Sequence, residues 1–162
     1  MNNEQHIFSS SEELHSALQF WQKILRLQDW EIQTSIKTIG EKDFDNKEGL
    51  NSYTLPLKSS VITLLHPQDY PKESDWAQDH EAVLVHELLH LHFAPWWPED
   101  NNNPAWVVME QAIELITSAL IRLKRENERL DGAVDVNNYK PGKPYPVEDM
   151  TKLPKEVDNT RK

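Results

Sequence analysis

The chain contains no cysteine. That single absence excludes disulfides, thiolate metal sites and cysteine nucleophiles together. Positive charge is also scarce: 17 Lys and Arg face 27 Asp and Glu, a formal net charge of -10. Such a chain repels phosphate backbones at long range, so nucleic acid is not expected as a partner. No run approaches the roughly 18 consecutive apolar residues of a membrane span, and no membrane partner is expected. The opening MNNEQHIFSSSEEL has no basic segment leading into an apolar one, which argues against a secretory signal. The expected compartment is the cytoplasm, of a bacterium or of a host cell. A length of 162 residues suits one domain with a modest core.

What is present divides at about Gly132. From Ala133 onward apolar residues are sparse, and Pro141, Pro144, Pro146 and Pro154 break any regular element. Residues 133–162 are therefore expected to form a flexible tail on a domain of residues 1–132. Within that domain Leu14, Ala17, Leu18, Trp21, Ile24 and Leu25 recur at helical spacing, behind a Ser9–Glu12 or Ser10–Glu13 capping box. WEIQTSIKTI alternates apolar and polar residues from Trp30, the mark of a half-buried strand. Leu50–Leu55 and Ser60–Leu65 read as two further strands around a break at Pro56. A helix is expected from an Asp79 cap to about Phe93. A second opens at the Asn103–Pro104 pair and runs to about Glu128, its stripe being Trp106, Met109, Ile113, Ile116, Leu120 and Leu123. The order helix, three strands, helix, helix, tail predicts an α+β fold, a small sheet packed against helices.

One apolar run breaks the usual composition of buried segments. VLVHELLHLHF, Val83 to Phe93, carries His86, Glu87, His90 and His92. On a helix His86 and His90 project from one face, one turn apart, and can share a metal ion. Two imidazole nitrogens suit zinc. Glu87 is turned about 100° around the axis, poorly placed as a joint ligand but well placed beside a water that zinc acidifies, whose proton it can take. This is the H-E-x-x-H pattern, spelled HELLH. A buried histidine pair hydrogen-bonded to backbone is the alternative reading. Glu110 lies 20 residues after His90 on the next predicted helix and is the candidate third ligand. Glu114, one turn on, is the candidate acceptor for a ring N–H of His86 or His90, fixing its orientation. For both, a solvated surface glutamate is the alternative. His92 faces away from the metal on a regular helix and reads as a packing or capping residue.

HELLH followed by EQAIE resembles the gluzincin zinc metallopeptidases, in which the third ligand is a Glu on the helix after the motif helix. The wider series LQDWEI, LLHPQDYP, LVHELLHLHFAPW and EQAIE, within roughly residues 14 to 125, is similar to small metallopeptidases of phages and prophages, with minimal gluzincins the nearest architecture. The resemblance implies His86, His90 and Glu110 as zinc ligands, Glu87 as general base, Glu114 as support, a peptide or protein substrate, and a host cytoplasm. It leaves the transition-state electrophile open among His66, His80, His92, Tyr53 and Tyr139. It also suggests that Ser60–Leu65 is a sheet edge where a peptide adds as a strand, an ordinary core strand being the other reading. Trp96 and Trp97 read as a cap on the core or as a cleft wall. Three functions stay open: a zinc peptidase, an accessory or host-antagonist protein of a phage with a structural or vestigial zinc site, and an anti-repressor-type protease with one regulatory target.

Overall fold

The computed structural model describes residues 6–44, 46–74, 77–98, 100 and 103–133, with side chains up to Leu130. Helix α1, Ser11–Ile24, is followed by strands β1, Glu31–Lys37, β2, Gly49–Thr54, and β3, Ser59–Leu65, then helices α2, His80–Phe93, and α3, Pro104–Ala133. Short 3-10 turns cover Leu55–Leu57, around Pro56, and Pro67–Asp69 and Ala94–Trp96. The architecture is the expected α+β one. Two compact units are distinguished, Met1–Glu126 and Asn127–Lys162. The boundary read at Gly132 falls in the second, and residues 134–162, the bulk of the expected tail, lie outside the described residues.

Local sequence accounts for the helix starts. Ser10 caps α1 by accepting from the Glu13 N–H at 3.2 Å. The Glu13 carboxylate returns to the Ser9 N–H at 2.7 Å, so both orphan donors are satisfied. Asp79 caps α2 through the Ala82 N–H at 3.1 Å. Leu14, Leu18 and Trp21 bury the inner face of α1, but Ile24 at its end is exposed. In α3 the buried positions are Ile113, Thr117 and Ile121, whereas Ile116 and Leu123 of the expected stripe lie open. Apolar residues spread over more than half of this helix's circumference, so periodicity alone left the buried face about one residue out of phase. α3 also runs on past Glu128 through Gly132. From Pro104 to Leu130 it is long and apolar enough to cross a bilayer, a property shared by helices that pack into a core.

The sheet order is β1-β3-β2, with β1 parallel and β2 antiparallel to β3. Ser60–Leu65 therefore forms the middle strand, which overturns its reading as an edge. The physical reason is burial: Ile62 and Leu64 are fully buried, as suits a strand flanked on both sides. The edge strand that reaches α2 is β2. Pairing places Gly49 opposite Leu64 and Asn51 opposite Ile62. Alternation then turns Gly49 and Asn51 to the face on which the helices pack. The core gathers Trp21, Trp30, Ile62, Leu64, Leu84, Leu88 and Ile113 between sheet and helices.

Candidate metal centre

α2 is apolar nearly all round, so its polar residues have nowhere to go but toward partners. Leu84, Val85, Leu88 and Leu91 fill the core. His86 and His90 emerge on one side, their ring centroids 4.9 Å apart. α3 packs alongside, and its first turns bring Glu110 to the same place. Glu110 Oε2 lies 3.4 Å from His86 Nε2 and 3.8 Å from His90 Nε2. His86, His90 and Glu110 are the described group whose donor atoms all fall within 4.8 Å of one another. Ligands at about 2.0–2.1 Å around a tetrahedral zinc stand roughly 3.3–3.4 Å apart. The donor set suits one such ion, with the Glu110–His86 pair at that spacing and the Glu110–His90 pair a little wider, and all three side chains are half-buried.

Glu114 Oε2 lies 3.4 Å from His86 Nδ1, the nitrogen opposite the one that faces Glu110. That contact is longer than a good hydrogen bond, and the Glu114 side chain is largely exposed. The arrangement matches a carboxylate that fixes which His86 nitrogen carries the proton. On the far side of the pair, the Trp97 ring meets His90 edge-on at 4.7 Å and Trp106 stands behind it at 6.3 Å. Trp97 belongs to the core margin and also walls His90; Trp96 is exposed and does neither.

Glu87 is buried, 8% exposed, although it is an acid. Burial first, and the Glu110 carboxylate second, push its pKa up to about 7, with Lys47 pulling the other way. Burial, then electrostatic repulsion from its neighbours His86 and Lys47, pushes His90 down to about 4. His90 is therefore neutral near pH 7, the state in which an imidazole offers a lone pair to a metal. A cation bound at the ligands would favour the ionised form of Glu87.

Among the described residues, the other candidate histidines and tyrosine are engaged elsewhere. His80 is fully buried, its Nδ1 accepting from the Phe8 N–H at 3.2 Å and its Nε2 3.0 Å from the Leu65 carbonyl. His66 caps a turn through the Gln68 N–H. His92 turns away from the ligands and donates to the Leu25 carbonyl at 2.8 Å, behind α1. Tyr53 meets Trp30 edge-on. Tyr139 lies outside the described residues. Residues not anticipated from sequence come from the segment entering β2. A Cβ on Gly49 would collide with Glu87, and Asn51 bonds the Glu87 carbonyl. Before them, the half-buried Glu48 accepts from the Tyr70 hydroxyl at 3.1 Å. Burial raises the Glu48 pKa, and the Glu114 carboxylate adds to the effect. A glycine inside a strand marks a close approach of backbone to another group, and was the one available signal.

Comparison of the chain with protein-family models, curated proteins and solved structures finds no match.

Proposed function

We propose that this chain is a zinc-dependent metallopeptidase of the minimal gluzincin kind. One observation carries the reading: three donors from two helices converge within 4.8 Å of one another, and a buried acid stands next in sequence to the first of them. His86, His90 and Glu110 would hold the ion. A structural zinc site is normally closed by a fourth protein ligand, whereas a three-ligand set keeps a position open for chemistry. Bound zinc supplies Lewis acidity toward a scissile carbonyl and the attacking water.

The chain's own residues do the rest. Glu87 accepts a proton from the water that attacks the carbonyl carbon. It passes that proton to the amide nitrogen as the C–N bond breaks, so the leaving amine departs neutral. Glu114 holds His86 in one orientation. An open concavity lined by His86, Glu110, Gln111, Glu114 and Leu115 gives access from solvent. A peptide adding to the sheet would lie along β2, the edge strand that contacts α2, rather than along β3.

The test is a peptide library incubated with zinc-loaded protein and read by mass spectrometry, beside the Glu87→Gln variant. Cleavage by the first and its loss in the second supports the peptidase. Zinc uptake with no cleavage by either moves the reading to an accessory protein, and cleavage confined to a single cellular protein to a regulatory protease.

A further inference from the structure

We propose that Gly49 and Asn51, the two inward positions at the start of β2, are positioning residues that set the Glu87 carboxylate against the metal centre. This rests on Glu87 being the proton acceptor of the peptidase.

Gly49 supplies space. A Cβ built there would stand 2.8 Å from Glu87 Oε1, 3.1 Å from Glu87 Cγ and 2.5 Å from Val83 Cγ1. Every other residue type would need at least that Cβ. The Glu87 carboxylate is thus seated directly against the β2 backbone, in the place a side chain would fill. Gly49 has no left-handed backbone conformation to explain it. Close approach is what the glycine permits.

Asn51 supplies direction. Its Nδ2 donates to the Glu87 carbonyl at 2.7 Å, and its Oδ1 accepts from the Ser60 hydroxyl at 2.8 Å. The amide orientation is unambiguous, because a carbonyl only accepts. The Glu87 carbonyl lies mid-helix and already serves the α2 ladder. The extra bond therefore answers no orphan group; it ties β2 to α2 at Glu87, next in sequence to His86. Asn51 and Ser60 are polar on the face where Ile62 and Leu64 are apolar. Ser60 is 3% exposed, so this polar pair is held inside the fold rather than solvated.

A packing role and a positioning role separate experimentally. Gly49→Ala should retain zinc and lower kcat by about 10²-fold with KM within about twofold, since small displacements of a catalytic group have effects of that size. Adding Val83→Ala removes the second collision. The double variant should recover its unfolding midpoint but not its kcat, because the clash with Glu87 persists. In a Glu87→Gln background, Gly49→Ala should change the residual rate by less than about twofold, as expected for residues acting through one group. Asn51→Ala, a milder change should Gly49→Ala fail to fold, should lower kcat by about tenfold with zinc content unchanged. A readout free of turnover is the affinity for acetohydroxamate, which chelates zinc and gives its proton to an adjacent carboxylate; it should weaken about tenfold in Gly49→Ala/Val83→Ala. Recovery of kcat with stability, or undiminished acetohydroxamate affinity, overturns the positioning role while leaving the peptidase in place. If the native protein binds zinc but cleaves nothing, the peptidase reading fails and the acetohydroxamate comparison still decides the placement of Glu87. No zinc uptake overturns both.

Discussion

Two groups of charged residues join α2 to α3, and they are built on opposite principles. At the start of α2, Glu81 is almost fully buried, yet its carboxylate has partners of opposite character. Trp21 Nε1 donates to it at 2.9 Å, Lys124 lies 3.2 Å away, and Arg125 lies 3.7 Å from its other oxygen. Arg125 also bonds Asp79 at 2.7 Å. Further along the helix, Glu87 is nearly as buried, but burial and the Glu110 carboxylate, which stands against the His86 and His90 rings, outweigh the pull of Lys47. The first group is neutralised by side chains and holds helices together. The second is a set of acceptors, the composition that suits a cation from outside the chain.

The largest effect should fall on metal binding. His90→Ala should reduce zinc from about one per chain to none after dialysis, since it takes away one of three ligands. Elemental analysis decides it, and full retention would remove His90 from the site. Next in size is Glu87→Gln, which should lower peptidase kcat by about 10²–10⁴-fold while zinc stays bound.

The same acid sharpens the comparison through stability. In chelator, the folded pKa of Glu87 stands near 7 against an ordinary 4.5. The folded state then holds a proton that the unfolded state has released. The resulting stability is full below about 4.5 and lost as pH rises through about 7. Glu87→Gln should therefore be more stable than the native metal-free protein at pH 8 by about 3 kcal/mol, the shift converted at 1.36 kcal/mol per unit. The difference should vanish by about pH 4.5, as followed by urea denaturation. Glu81→Ala should do the reverse and cost about 3 kcal/mol at pH 7, because it removes the buried carboxylate on which Trp21, Lys124 and Arg125 converge. Destabilisation by both substitutions would erase the distinction between the two groups. The smallest effect belongs to Glu114→Gln. It acts on His86 from an exposed position, so zinc affinity should fall by about tenfold, the low end for an orienting carboxylate. Competition with a chromophoric chelator measures it.

Much of the site was legible before folding was considered. His86, Glu87 and His90 lie within one turn and a half of a single helix, where 3.6 residues per turn already fixes which side chains meet. Glu110 was within reach because the next helix packs on the last, and sequential elements are usually neighbours. The stripe of α3 was less legible, since Thr117 and Lys124 face inward while Ile116 and Leu123 face out. There burial follows the ion pair to Glu81 and the fit to α2, not hydropathy.

The sequence by itself determined the α+β order of elements, a capping box at Ser9 or Ser10, the helix cap at Asp79, and the presence of two histidines and an acid on one helix. These depend on contacts a few residues apart, which local geometry dictates. Only the tertiary structure decided that β3 runs between β1 and β2, because strand order is a choice among pairings distant along the chain. From that choice follows the approach of β2 to α2, with Gly49 against the Glu87 carboxylate and Asn51 on its carbonyl. It also placed Trp97 against His90, and Lys124 and Arg125 against Glu81. Whether a buried acid becomes an ion-pair anchor or a reactive group depends on which charges the fold delivers to it, and those charges come from elements far away in sequence.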